Sequence, residues 1–239
     1  MKIDIQFFGG GGASSGIKRR GRENNVSNEE FMGVPISQIE ALRSTRLHEK
    51  SLNIYDIKAD YKRVGINITD VEAAEIYESI SLFTGSNFTD MRKALQAQRA
   101  GRTLDTYQQT WLRRYQLCHD YARIAPLYNV KGSLYRGIKN DGSAYALKIG
   151  SLKKGAKFDL EMGSSFSSKV DVAYKFATNS GPSGYILHVK TKDAHAPSIK
   201  GYSQYTTEDE VFVMRRNWQV TSTKKAKNGI THIYLTPEA

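Results

Sequence analysis

Three short stretches in the second half of the chain carry residue types suited to chemistry. In Leu134-Tyr135-Arg136-Gly137 an arginine ends an apolar run. A guanidinium turned inward is costly unless an anion meets it, and the glycine beside it lets a ligand approach the backbone. An edge arginine in solvent fits the same residues. In Gly163-Ser164-Ser165-Phe166-Ser167-Ser168 hydroxyls recur along an extended segment. The period of two sends Ser165 and Ser167 to one face, either as polar ligands or as a plain solvated surface. Glu208-Asp209-Glu210-Val211-Phe212-Val213 holds the chain's only Glu-x-Glu. Two carboxylates at i and i+2 of a strand start share one side of a sheet. Like charges this close resist joint ionisation, so the pair needs a use or a counter-charge.

Other constellations are missing. There is no Gly-x-x-x-x-Gly-Lys phosphate loop and no Gly-x-Gly-x-x-Gly. His48, His119, His188, His195 and His232 lack metal-ligand spacing. The single cysteine, Cys118, excludes an internal disulfide framework and a multi-cysteine zinc site. It lies within a helical apolar stripe, where a small buried hydrophobe is expected rather than a nucleophile.

The elements that would position these residues fall into two halves. Residues 29–126 read as helical. One segment runs from Asn28 to Leu47. A second starts at an N-cap, Thr69-Asp70, carries Val71, Ala74, Ile76, Ile80 and Phe83, and stops at Gly85. A third opens at Ser86-Asn87 with Phe88, Met91 and Leu95. In the fourth, Leu104, Tyr107, Trp111, Tyr115, Cys118, Ala122 and Ala125 follow intervals of three and four, ended by Pro126. Beyond Pro126 short β-branched and aromatic runs alternate with turn residues. Strands are expected at 133–138, 157–160, 164–167, 185–189, 210–214, 218–224 and 231–235, with one helix at 170–177. Helices first and a mostly antiparallel sheet after them make an α+β chain, not a doubly wound one.

The length of 239 residues suits one or two domains, and 39% hydrophobic against 25% charged residues excludes wholesale disorder. The net charge of +11 favours acidic or phosphate-bearing partners. No apolar run approaches the ~20 residues of a membrane-spanning helix. The opening MKIDIQFFGGGG is too short and broken for a secretory signal, so no signal peptide and no membrane partner are expected. Residues 1–28, with four successive glycines and the cluster Lys18, Arg19, Arg20 and Arg22, read as a flexible basic tail. It is either a solvated linker or a nucleic-acid contact. Residues 29–69 read as a helical extension, either a separate docking domain or a continuation of the unit that begins at residue 70.

Taken in order, Tyr-Arg-Gly, Ser-Phe-Ser and Glu-Asp-Glu resemble the arginine–serine–glutamate class of mono-ADP-ribosyltransferases, which includes clostridial binary actin-modifying toxins. Phe83-Thr84-Gly85-Ser86-Asn87-Phe88-Thr89-Asp90-Met91 is similar to the helical segment before that family's core. Gly201-Tyr202-Ser203-Gln204-Tyr205-Thr206-Thr207 is similar to its acceptor-recognition loop. The likeness spans residues 70–239 and departs at Phe166, where the family has Thr. It implies a two-sheet transferase core, with a helical part at 70–126 and a sheet part at 127–239. It also implies NAD as co-substrate, no metal, and a protein substrate bearing an exposed arginine. By this resemblance Glu210 stabilises the ribose cation, Ser165 orients Glu210, and Glu208 addresses the acceptor. Arg136 holds the NAD pyrophosphate, Gly137 pairs with the nicotinamide amide, and Phe176 stacks on its ring or else packs in the helix core. Ser167 joins the NAD site, and Tyr202 and Tyr205 contact the target.

The first 16 residues resemble the opening segment of minor head proteins in phages of Gram-positive bacteria. This implies a phage- or mobile-element-encoded enzyme acting on a bacterial host protein, in the host cytoplasm or carried in the virion. The competing expectation is a phage minor head or nucleic-acid-binding structural protein with an inactive transferase-like domain.

Overall fold

A computed structural model describes residues 29–47 and 51–238. The basic tail at 1–28 and His48 lie outside the described residues. The continuous helix expected from Asn28 to Leu47 is not formed. In its place stand a two-stranded ribbon, β1 (Glu30–Phe31) and β2 (Val34–Pro35), and a seven-residue helix, α1 (Ile36–Leu42). The physical reason is local. Met32 and Gly33 turn the chain at φ 51° and 78°, and Pro35, which has no amide hydrogen, can only start a helix.

Four longer helices come next: α2 (Ile54–Arg63), α3 (Asp70–Phe83), α4 (Phe88–Arg99) and α5 (Thr106–Ile124). Reciprocal capping boxes start three of them, formed by Asn53 with Asp56, Thr69 with Glu72 and Asp105 with Gln108. The α5 stripe buries Leu112, Tyr115, Cys118, Tyr121 and Ala122 in one core with Ile76, Ile80 and Phe83 of α3. Burial pushes the Cys118 thiol pKa up, which keeps it protonated and inert. Residues of the extension, including Ile39, Leu52, Ile57 and Tyr61, share this same core.

The sheet half runs β3 (Ser133–Lys139), α6 (Ala144–Gly150), β4 (Lys157–Asp159), β5 (Ser164–Ser167), α7 (Val170–Thr178) and β6 (Gly184–Lys190). It continues with a short helix α8 (Thr191–Ala194), a 3-10 turn at Lys200–Tyr202, β7 (Glu210–Val213), β8 (Asn217–Lys225) and β9 (Ile230–Pro237). The strands are ordered β4-β8-β9-β6-β3-β5-β7 and every neighbouring pair is antiparallel except β6 with β9. This is an α+β architecture. Hydrogen bonding links the strands into one ladder rather than two separate sheets, but the link is thin. β3 pairs with β6 along its whole length and with β5 only at Tyr135↔Ser167. The ladder therefore divides naturally into a five-strand part and the β5–β7 pair.

A buried polar chain ties the extension to the sheet half. Asp60 takes a two-pronged bond from Arg46 (2.9 and 3.1 Å) and a 2.7 Å bond from the Tyr121 hydroxyl, which meets the Tyr202 hydroxyl at 2.8 Å. Leu52 N–H donates to the carbonyl of Gly201 at 2.9 Å, so the backbone at 201 and 202 is held by the helical half. Asp60→Ala would leave the Arg46 guanidinium without its carboxylate in a largely dry setting. It is expected to cost about 3 kcal/mol of stability, read from the urea midpoint at constant m-value. A loss below about 1 kcal/mol would show that the chain carries little of the load.

Candidate active site

The thin link between β3 and β5 is where the chemistry-bearing residues collect. A cleft of about 430 Å³ opens there, lined from the sheet half by Arg136, Gly137, Ser165, Ser167, Glu208 and Glu210. Phe83, Phe88 and Arg92 close it from the helical half. The arginine of β3, the serine of β5 and the glutamate of β7, far apart in the chain, thus share one cavity.

Glu210 begins β7 and is only 5% exposed. The Ser165 hydroxyl donates to its Oε1 at 2.6 Å, and the Ser203 hydroxyl donates to Oε2 at 2.5 Å. Burial pushes its pKa up to about 7. The two hydroxyls and Arg136 pull it down, and Glu208 pushes it up. This is a carboxyl group that ionises near neutrality, held at both oxygens.

Arg136 donates from Nη1 to the carbonyl of Ser165 at 2.6 Å and lies 5.6 Å from the ring centre of Phe88. Its Nε is buried and has no hydrogen-bond partner among the described residues. Burial draws the guanidinium pKa below its usual value, Tyr145 and Glu210 raise it, and Arg92 lowers it. A partly desolvated cation with a spare donor beside a cleft is suited to an anion. Arg92 stands nearby, 4.4 Å over the Tyr145 ring and 3.5 Å from Glu161.

The strand rule does not place Glu208. The residue sits in the turn before β7, and Asp209 takes a left-handed φ of 49°, so two-residue alternation fails there. Glu208 reaches the cleft by this turn instead. Burial raises its carboxyl pKa and Lys175 lowers it. The turn is pinned at its base. Lys169 and Lys200 pair with Asp209, and the Ser167 hydroxyl donates to the carbonyl of Glu208 at 2.5 Å while accepting from Lys169 N–H at 2.9 Å. The Ser167 hydroxyl thus holds the turn, and the residue lines the cleft as well.

Gly137 has a packing reason of its own. A Cβ there would stand 1.9 Å from the carbonyl oxygen of Ala173, so its absence lets α7 lie directly on β3. That close approach brings Phe176 of α7 to the cleft, where it is 50% exposed and not part of the helix core. Tyr205 is 49% exposed on the loop beyond. Tyr202 departs from the expectation made for it. It is 2% exposed, with its hydroxyl on Tyr121 and its ring edge-on to Tyr77, so its side chain is closed to a protein partner.

Sequence reasoning missed Ser203, Arg92 and Tyr145. Ser203 had a faint signal, a hydroxyl in a loop already singled out, one residue after Tyr202 and two before Tyr205. Arg92 had a positional one, on α4 one turn after Phe88. Among the described residues no group of three or more His, Cys, Asp or Glu is placed to hold a metal ion, and no helix is long and apolar enough to cross a membrane.

By sequence, no protein-family model and no curated protein match the chain. By structure, it is similar to the ADP-ribosyltransferase Vis of Vibrio splendidus in complex with agmatine, at 20% identity and a TM-score of 0.52 over 70% of this chain and 75% of that one. It is similar to the ADP-ribosyltransferase HopU1 of Pseudomonas syringae at 14% identity and a TM-score of 0.53, covering 87% and 99% of the two chains. It is also similar to an ADP-ribosyltransferase of Clostridium botulinum at 16% identity and a TM-score of 0.51, over 80% of this chain and 98% of that one. At such identities the likeness is one of architecture, and on that ground the chain has the ADP-ribosyltransferase fold.

Proposed function

We propose that the protein is a mono-ADP-ribosyltransferase that moves ADP-ribose from NAD to arginine side chains of a protein substrate and releases nicotinamide. The observation that carries this reading is the shared cleft, in which Arg136 keeps a buried, unpartnered donor and Glu210 has both oxygens fixed. The Arg136 guanidinium holds the NAD diphosphate. The bond between ribose C1′ and the nicotinamide nitrogen breaks, and its electron pair leaves with nicotinamide, which departs neutral. The ribose becomes an oxocarbenium-like cation, as in glycoside cleavage. Glu210, oriented by Ser165, accepts a hydrogen bond from the ribose hydroxyl and stabilises the growing positive charge. Phe176 stacks on the nicotinamide ring and the Gly137 backbone pairs with its amide.

Glu208 binds the acceptor guanidinium and takes the proton it must shed when its nitrogen attacks C1′. The Vis structure is in complex with agmatine, itself a guanidine, which supports a guanidinium acceptor here. Glu208→Gln is expected to lower transfer to an arginine acceptor about a hundredfold while NAD hydrolysis stays within a few-fold of wild type. Equal loss of both activities, measured by nicotinamide release and by acceptor labelling, would remove the acceptor role.

The proposal as a whole is tested with NAD labelled in its adenylate phosphate, incubated with the protein and a bacterial lysate. The lysate is chosen because the opening segment resembles phage head proteins. Labelled proteins are then digested and the modified side chain is identified by mass spectrometry. Label on arginine is the expected result. Label confined to other side chains would refute the acceptor, and no NAD turnover would refute the enzyme.

A further inference from the structure

We propose that Ser203 is a positioning residue for the carboxylate of Glu210, acting with Ser165 to fix the plane of the carboxyl group; the inference rests on the catalytic reading of Glu210 given above. A carboxyl group turns easily about its last side-chain torsion, whose energy wells are broad. One donor on one oxygen leaves much of that freedom. Here a donor from β5 meets Oε1 at 2.6 Å and a donor from the 201–205 loop meets Oε2 at 2.5 Å. Two donors from separate segments define the plane, and each oxygen still has a lone pair for the ribose hydroxyl.

The Ser203 hydroxyl has a defined direction. Its oxygen accepts from the Tyr205 amide at 2.9 Å, which leaves its single proton for Glu210. The backbone beneath it is held from several sides. Ser203 N–H donates to the carbonyl of Lys200 at 3.1 Å, and Gln204 N–H donates to the Thr84 hydroxyl at 3.1 Å. Ile199 N–H donates to the carbonyl of Glu210 itself at 3.0 Å. Tyr202, the preceding residue, is locked to Tyr121 and through it to Asp60. Gly85 adds a close fit, since a Cβ there would stand 2.9 Å from the Gln204 side chain. The helical half therefore sets the position of a hydroxyl that acts on the carboxylate. A serine present only to cap the 203–205 turn would satisfy the Tyr205 amide and have no bearing on how Glu210 ionises.

The test compares wild type, Ser203→Ala, Ser203→Thr and Glu210→Gln in nicotinamide release from NAD across a pH series. Ser203→Ala is expected to lower kcat about tenfold with little change in KM for NAD. It should also move the acid limb of kcat/KM to higher pH, because a donor that favours the carboxylate has gone. The other charged groups facing Glu210, Glu208 from the turn and Arg136 from β3, are unchanged in the variant. Ser203→Thr keeps the hydroxyl and should restore the acid limb. If Ser203→Ala does not fold, Ser203→Cys supplies a weak donor of similar size and must show both changes. Wild-type turnover that is lost in Glu210→Gln but unaltered in rate and pH profile in the Ser203 variants overturns this proposal alone. No turnover in wild type, or turnover untouched in Glu210→Gln, overturns the reading of Glu210 and this proposal with it.

Discussion

Glu210→Gln is expected to remove NAD hydrolysis and arginine transfer together, with kcat falling about a thousandfold or more. The amide is close in size and can still meet a hydroxyl, so the loss isolates the negative charge. Both activities pass through the same sugar cation, so neither should be spared. The pH dependence makes the prediction sharper. Burial places the Glu210 pKa at about 7 in the free protein, so the carboxylate needed for catalysis is depleted as pH falls through neutrality. The kcat/KM for nicotinamide release should therefore decline about tenfold per pH unit on the acid side. In Glu210→Gln the residual rate should be flat over the same range. An acid limb that survives in this variant would assign the ionisation to another group, and near-normal turnover would end the proposed mechanism.

Arg136→Ala is expected to weaken NAD binding about a hundredfold, roughly 2.7 kcal/mol, measured by titration calorimetry. The guanidinium lines the cleft with its Nε unpartnered among the described residues, and it is a cation that β3 contributes toward the proposed diphosphate. Lysine should recover only part of the loss, since a point charge does not reproduce a planar fork. Nicotinamide riboside, which lacks the diphosphate, offers a control. Its turnover should suffer much less from the substitution than that of NAD. Unchanged NAD affinity would take the phosphate role away from this residue.

The architecture is legible in the sequence because its signals are local. The α5 stripe declares itself at intervals of three and four, and the strands after Pro126 are bounded by turn residues that any reader of the chain can mark. The runs that hold Arg136, Ser165 and Glu210 stand out by composition, but it is their order, as a resemblance to the arginine–serine–glutamate transferases, that picks these residues out of them. The features that escape depend on partners remote in sequence or on one unusual dihedral. Helix α2 does carry a stripe, Ile54, Ile57 and Tyr61 with Val64 at its cap, but it is short and set among Asp56, Lys58, Asp60, Lys62 and Arg63. Tyr202 sits among Gly, Ser and Gln and reads as a loop tip. Its burial depends on Tyr121 and Asp60, more than 80 and 140 positions away. The strand-face expectation for Glu208 fails because nothing in Glu-Asp-Glu reveals that Asp209 turns left-handed. Pro35 is visible in the sequence, and it breaks a helix that the apolar pattern alone extends from Asn28 to Leu47.

The narrow join between β3 and β5 gives Arg136 a second duty. One backbone pairing, Tyr135 with Ser167, stitches the two parts of the sheet, and the Arg136 guanidinium crosses that same seam to the Ser165 carbonyl at 2.6 Å. The side chain offered to the substrate is therefore also a fastener of the scaffold. Removing it subtracts a charge and at the same time slackens the joint that sets how far Ser165 and Glu210 stand from the rest of the cavity.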